Sequence, residues 1–228
     1  EEVQTPMKAV VIYLEHHKDS IAQAKACIDS CVKYEYDVTT LKASEPNNLK
    51  CDFSFDIMKD SRVKALPRDR FANKQACFAS HYRCWKHVID TGEPLLILEH
   101  DALAIKKWDN PEYKEVLCLN MKNAMSRSIF NSTRAPESAY KFNGSLNLED
   151  SESNLKYNRN NIFKDSYMIP GCASYVINPH GAIKLLKSMV EHGWEQNDYL
   201  INTSVVDIKY TVPDYFSLNK TLQASHRT

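Results

Sequence analysis

The octapeptide LLILEHDA, residues 95–102, runs from apolar residues directly into three side chains that can each bind a metal or a proton. Alternate residues of a strand point to the same side, so Glu99 and Asp101 are expected to converge on one ion. Mg²⁺ and Mn²⁺ prefer oxygen ligands and commonly take one or two carboxylates together with substrate phosphates. The spacing therefore predicts an ion that stabilises a departing nucleotide diphosphate, with His100 on the opposite side.

Two other interpretations of these residues stay open. Acidic residues often follow a buried strand only because the chain reaches solvent there. A zinc site built from His100 with Cys118 or Cys172 is also conceivable, although these residues lack the short spacing that is usual for zinc ligands. The octapeptide alone does not decide among the three.

The residues around the octapeptide predict an α/β fold. The segments Ala9–Leu14 and Asp37–Ala43 are typical of strands, and the residues between them predict a helix capped by Asp19 or Ser20. A second helix is predicted over Phe71–Gly92, directly before the strand that contains the octapeptide. Such a βαβ arrangement favours sites at the carboxyl ends of parallel strands.

The second half of the chain continues this pattern after a long irregular span. Residues 121–164 are rich in Asn, Ser and charge and are predicted to form loops that carry substrate contacts. The elements predicted outside that span are a strand in KEVLCLN, a strand at Tyr175–Ile177, a helix from Pro179 to Gly193, a short helix from Asp198 and a strand in IKYTV. Without a linker, we predict one domain over residues 1–228, with the six residues before Met7 left out of the fold prediction.

The composition argues against several classes of protein. Lys plus Arg and Asp plus Glu both number 29 in the 228 residues, so no overall charge indicates a nucleic-acid or membrane partner. Seven cysteines without a paired CxxC are typical of reduced thiols. No apolar run approaches the roughly 20 residues that a membrane helix needs. A soluble, cytoplasmic protein without a transmembrane segment is expected.

Three ordered segments carry a resemblance to a known family. The stretch ACFASHYRCWKHVIDTGEPLLILEHDA resembles the glycosyltransferase family 25 pattern, in which a Cys-X-X-Ser-His segment and a Trp precede a strand ending Leu-Glu-Asp-Asp-Ala. GCASYVINPHGAIKLL is similar to that family's Gly-X-Ala-X-Tyr-X-Ile segment and the helix after it, and NDYLIN is similar to its closing Asp-X-X-Leu element. The resemblance covers most of the chain in order.

This resemblance implies a GT-A-like, Rossmann-type, mostly parallel sheet flanked by helices. It also implies an enzyme that moves a hexose or pentose from a nucleotide-sugar, with a UDP-sugar favoured, to an acceptor hydroxyl with inversion. The family's acidic triplet falls on Glu99, His100 and Asp101, so this chain keeps the outer acids and has histidine between them. The implied cofactors are Mn²⁺ or Mg²⁺ and the nucleotide-sugar donor.

The resemblance and the predicted elements together assign candidate roles. Asp101 is the expected metal ligand, with Glu99 as a second ligand or a donor contact. Asp198 is the candidate general base for the acceptor hydroxyl, with metal binding or helix capping as alternatives. The residues expected to border the donor are Tyr13, Ser80, His81, Gly171 and Ala173, although core packing explains Tyr13 equally well and a buried His81 is often only structural.

The acceptor and the reaction have further alternatives. A viral DNA glycosyltransferase acting on hydroxylated pyrimidines would need a local basic surface, to which RVKALPRDR and KNAMSR could contribute. A catalytically degenerate module would bind the nucleotide-sugar without turnover. A hydrolase would release the nucleotide with water as the only acceptor. The sequence predicts a saccharide acceptor first and leaves these alternatives open.

Overall fold

The computed structural model describes residues 5–61, 63–120, 146–147, 171–211 and 213–219. The strands within these ranges are β1 (Lys8–Tyr13), β2 (Asp37–Lys42), β3 (Leu95–Glu99), β4 (Ala102–Ala104), β5 (Val116–Cys118), β6 (Leu146–Asn147), β7 (Ser174–Ile177), β8 (Ile208–Tyr210) and β9 (Phe216–Leu218). The helices are α1 (Lys18–Lys33), α2 (Arg68–Thr91), α3 (Pro179–His192) and α4 (Asn197–Leu200), and Val63–Ala65 forms a 3₁₀ turn.

Seven strands form one sheet in the order β2-β1-β3-β7-β5-β8-β6. The strands β2, β1 and β3 are parallel, β7 inserts antiparallel between β3 and β5, β8 is parallel to β5, and β6 is antiparallel to β8. Five of the seven strands therefore run in the same direction, which confirms the predicted mostly parallel α/β sheet flanked by helices. The strands β4 and β9 form a separate antiparallel pair.

Alternation along β3 divides the core into two layers. Leu95 and Ile97 belong to the cluster that contains Phe78 and Trp85 of α2. Leu96 and Leu98 belong to the cluster that contains Cys27 and Cys31 of α1. All four β3 side chains are nearly or fully buried, which explains why this strand is a continuous apolar run rather than an alternating one. Glu99 continues the α2 side of the alternation.

The helix boundaries follow local chemistry, with one correction. The prediction that Asp19 or Ser20 caps α1 is wrong: α1 begins one residue before Asp19, with His17 at the cap position. The Ser20 hydroxyl instead accepts a hydrogen bond from the Leu14 amide at 2.9 Å, which ties the helix to the end of β1. The predicted end of α2 is confirmed, because Gly92 adopts a φ of 70° there.

Gly193 allows the end of α3 to approach another segment closely. Its φ is 91°, and a Cβ at this position would lie 2.5 Å from the Asp56 carbonyl oxygen. The next amide, that of Trp194, donates to the same oxygen at 2.8 Å. The Trp194 ring then packs at centroid distances of 5.4–5.6 Å from Phe55, Phe71 and Phe78. This contact holds the start of α4 against α2.

The strand and helix predictions for the second half hold where the structure describes them. The strands at β5, β7 and β8, the helix α3 and the short helix α4 are confirmed. The loop prediction for residues 121–164 lies outside the described residues, apart from β6. Within the described ranges, every helix is either too short or too polar to span a bilayer.

Candidate functional site

The candidate site lies at the carboxyl end of β3, where several elements meet. Lys74, Cys77 and His81 follow one another at spacings of three and four residues, so they share one face of α2. Glu99 is the last residue of β3 and faces the same helix. Because β7 is antiparallel to β3, the start of β7 also lies at this edge.

His81 is fixed in orientation by two buried aromatic residues. Its Nδ1 lies 2.8 Å from the Tyr175 hydroxyl, and the Trp85 indole donates to the same hydroxyl at 2.9 Å. The His81 and Tyr175 rings are nearly parallel, with an interplanar angle of 9°. The other ring nitrogen, Nε2, lies 3.7 Å from Oε1 of Glu99. The imidazole therefore connects the hydrophobic core to the carboxylate at the strand end.

Electrostatics favour an ionised His81–Glu99 pair. Burial lowers the pKa of His81, but the contacts with Cys77 and Glu99 outweigh it and raise the pKa to about 9. Burial raises the pKa of Glu99, but hydrogen bonding and charge from His81, with smaller effects of His100 and Lys74, hold it below its ordinary value. At neutral pH both groups carry charge, and the Glu99 side chain remains 36% exposed.

Helix α4 brings a second carboxylate to this edge. Burial raises the pKa of Asp198 to about 6; Lys74 opposes the shift, while the negative charges of Glu99 and Glu195 add to it. Asn197, the residue before it, donates from Nδ2 to the Cys77 sulfur at 3.5 Å. Asp198, the predicted base, and Glu99, the predicted ligand, are thus close enough for their charges to interact with each other and with Lys74.

The structure places Asp101 differently from Glu99. Asp101 lies in the turn between β3 and β4, and its carbonyl oxygen accepts a hydrogen bond from the Asn219 amide at 2.7 Å. Its charge acts on Cys27, which lies on the α1 side of the sheet. The pKa of Cys27 is raised mainly by Cys31 and by burial, and the negative charge of Asp101 adds to that shift. Convergence of Glu99 and Asp101 on one ion therefore stays a prediction.

Three of the residues predicted to border the donor lie at this edge of the sheet. Tyr13 ends β1, which is parallel to β3, and it packs partly buried against the α1-side core. The Ala173 carbonyl accepts a hydrogen bond from the Glu99 amide at 2.9 Å, so Ala173 lies directly beside the strand end. Gly171, two residues earlier, adopts a φ of 100°, which glycine tolerates best.

Ser80 makes structural contacts in this protein. Its hydroxyl accepts a hydrogen bond from the Ser44 amide at 2.8 Å and donates to the Ala76 carbonyl at 3.0 Å. Its side chain is 2% exposed. These bonds connect α2 to the segment after β2 and position the helix that carries His81, and the contact of Ser80 with the donor stays a prediction.

Sequence reasoning missed Cys77, Lys74, Tyr175 and Asn197 as members of this edge. Cys77 is exposed and lies beside His81 and Glu99. The signal was present, because a cysteine and a histidine four residues apart on a helix share one face. Cys118 and Cys172, the two cysteines of the alternative zinc site on His100, are both buried, whereas Cys77 is exposed.

Comparison with known proteins is consistent with the resemblance found in the sequence. The model of a family described as "Glycosyltransferase family 25 (LPS biosynthesis protein)" matches residues 8–201. A solved structure of the galactosyltransferase LgtC, in complex with donor and acceptor sugar analogues, is similar at 11% identity and a TM-score of 0.43, covering 89% of this chain and 73% of that one. No curated protein is significantly similar to the chain. The chain belongs to glycosyltransferase family 25 and is a glycosyltransferase that uses a nucleotide-sugar donor.

Proposed function

We propose that this chain transfers a hexose or pentose from a UDP-sugar to an acceptor hydroxyl in a single displacement with inversion. The observation that supports the proposal is that Asp198 of α4 lies close enough to Glu99 of β3 for the charge of Glu99 to raise the pKa of Asp198. An inverting transfer needs a base that is separate from the group that holds the leaving diphosphate. Two carboxylates on different elements meet that requirement.

Asp198 is the proposed general base. A base works best when its pKa lies near the operating pH, since it is then ionised and still has appreciable affinity for a proton. The pKa of Asp198, raised by burial to about 6, satisfies both conditions at neutral pH. Asp198 would accept the proton of the acceptor hydroxyl as that oxygen attacks the sugar.

Glu99 and Asp101 are the proposed ligands of a Mn²⁺ or Mg²⁺ ion. Their oxygens are the donor type that these ions prefer, and His81 keeps the pKa of Glu99 low, so that its carboxylate is available as an anion. Bound there, the ion would supply positive charge for the departing diphosphate. His81 is proposed to act through Glu99 as well as to border the donor: its contact with Glu99 helps to maintain the charge of the carboxylate.

The acceptor class that we propose is a saccharide hydroxyl. No observation within the described residues favours a DNA acceptor, and the basic stretch KNAMSR lies outside them. Tyr13, Gly171 and Ala173 are proposed to line the donor subsite, because they lie at the edge that carries Glu99.

Thermal unfolding with ligands tests this proposal. A ligand that binds only the folded state raises the apparent stability, by about 2.7 kcal/mol at a hundred times its dissociation constant. We expect a UDP-sugar to raise Tm when Mn²⁺ is present, and we expect the shift to be lost in Asp101→Ala. Glu93→Gln, at the opposite end of β3 and paired with Lys8, serves as the control. Absence of a shift with every nucleotide-sugar, or an undiminished shift in Asp101→Ala, would contradict the proposal.

A further inference from the structure

Three side chains with different donor atoms converge between α2 and the end of β3. One sulfur of Cys77, one ring nitrogen of His81 and one carboxylate oxygen of Glu99 all lie within 4.8 Å of one another. Across the described ranges, this is the one group of three potential metal-ligating side chains found at such distances. The ordinary interpretation, a buried histidine paired with an acid, does not explain why a thiol joins them.

Neighbouring residues hold two of these donors in the orientation that a metal ligand needs. Tyr175 occupies Nδ1 of His81 at 2.8 Å, which leaves Nε2 directed towards Glu99. A metal-binding histidine typically uses its second ring nitrogen in such a bond, which fixes the tautomer and the ring. A metal ion bound at Nε2 would replace the proton that Nε2 carries in the ion pair, and that proton would be released to solvent. Asn197 donates to the Cys77 sulfur at 3.5 Å and fixes its position beside the other two atoms.

The separation between the nitrogen and oxygen donors is close to that of a tetrahedral site. Zinc bonds of about 2.0–2.1 Å to nitrogen and oxygen place those two ligands roughly 3.3 Å apart at the tetrahedral angle. The His81 Nε2 and Glu99 Oε1 atoms are 3.7 Å apart, so they need to approach by a few tenths of an ångström. Cys77 lies on the exposed side of the group, and its sulfur lies within 4.8 Å of both other donor atoms.

The combination of donors selects the kind of ion. Mg²⁺ is bound by oxygen ligands, and Mn²⁺ also favours carboxylate and water, whereas a site of one sulfur, one nitrogen and one oxygen suits Zn²⁺. Three protein ligands leave the fourth tetrahedral position open, as in zinc sites that bind a water or a ligand oxygen. Because Cys77 is exposed and Glu99 is 36% exposed, solvent can reach that position.

We propose that Cys77, His81 and Glu99 form a Zn²⁺ site with an open fourth position at the carboxyl end of β3. The site shares Glu99 with the proposed Mn²⁺ or Mg²⁺ site and differs from it in the other ligands, and Zn²⁺ binding does not depend on the proposed transfer reaction. The spacing of Cys77 and His81 on α2 supplies two of its ligands, and the end of β3 supplies the third.

Cobalt binding tests the proposal without nucleotide or acceptor. Co²⁺ occupies such sites with the same geometry, and a thiolate ligand adds a charge-transfer absorption band. After treatment with a chelator, the full chain is expected to bind one Co²⁺ with that band and to lose it when one equivalent of Zn²⁺ is added. Cys77→Ser is expected to abolish the band, whereas Cys51→Ser, which alters another partly exposed thiol, is expected to retain it.

A further variant tests the hydrogen bond between the Tyr175 hydroxyl and Nδ1 of His81. Tyr175→Phe keeps all three ligands and removes the hydroxyl that holds Nδ1, so we expect Co²⁺ affinity to fall about 10- to 100-fold. Because Tyr175 is fully buried, circular dichroism is used to check that the Tyr175→Phe variant folds. If that variant does not fold, the Cys77→Ser variant, which changes an exposed residue, still tests the proposal. Absence of the band in the native chain, or its persistence in Cys77→Ser, would overturn the proposal. Because no donor is present, these outcomes are independent of the transfer reaction.

Discussion

Replacement of Asp198 by asparagine is expected to lower kcat by a factor of about 10²–10⁴, the contribution typical of a general base. Asparagine has nearly the same shape but cannot accept the proton of the acceptor hydroxyl. In the native chain, kcat/KM should fall about tenfold per pH unit below pH 6, because the pKa of Asp198 is raised by burial to about 6. The variant should lack this acid limb. Steady-state rates between pH 5 and pH 8 measure both effects.

Urea unfolding shows whether the variant loses activity because it lacks the base or because it is less stable. The folded-state pKa of Asp198, about 6, lies above its ordinary value of 3.8, so ionisation of this carboxyl disfavours the fold increasingly as pH rises between these values. Asp198→Asn removes that cost and should unfold at no lower urea concentration than the native chain at pH 7. Asp90→Asn, an exposed acid on α2, is the matched control and should keep its activity. Native-like turnover in Asp198→Asn, or an unchanged acid limb, would contradict the assigned role.

Replacement of Glu99 by glutamine is expected to lower activity at least about a hundredfold. A change to a residue that is hydrogen-bonded to a metal ligand commonly lowers metal affinity or activity 10- to 100-fold. The change here removes a proposed ligand itself. It also removes one of the two contacts that raise the pKa of His81, so that pKa should fall from about 9. Activity assays, titration of the donor-dependent Tm shift with Mn²⁺, and NMR titration of the histidine ring measure these effects.

A control at the other end of the same strand makes the test specific. Glu93→Gln removes the exposed ion pair with Lys8 and leaves the β3 end unchanged, so its activity and Mn²⁺ requirement should match those of the native chain. Native activity of Glu99→Gln at a low Mn²⁺ concentration, or an equal loss of activity in Glu93→Gln, would be incompatible with Glu99 as a metal ligand.

The elements that are fixed by local chemistry could be predicted from the sequence. The apolar run of β3 has to be buried on both faces, and Gly92 ends α2 with a positive φ, so both were correctly identified. The start of α1 was not, because the Ser20 hydroxyl bonds to the Leu14 amide rather than to its own helix. The antiparallel insertion of β7 between β3 and β5 depends on long-range pairing, which no local pattern encodes.

Two carboxylates of the candidate site could be predicted from the sequence. Glu99 was identified because it ends an apolar strand, and Asp198 because the family resemblance marked it. Their electrostatic proximity depends on Trp194, which packs against α2 and holds the start of α4 there. Cys77 was missed for another reason: its spacing from His81 indicated a shared helix face, but the third donor, Glu99, comes from a different element, and no local pattern encodes that contact.

The most direct test of the central claim is the measurement of UDP release together with the mass of the acceptor. The chain is incubated with Mn²⁺ and the UDP-sugar that gives the largest Tm shift, with and without a mixture of saccharide acceptors. UDP release is expected to require an acceptor, and the product is expected to gain the mass of one sugar residue. Equal release with water alone would indicate a hydrolase, and binding without release under any condition would indicate a degenerate module; either result would contradict the account.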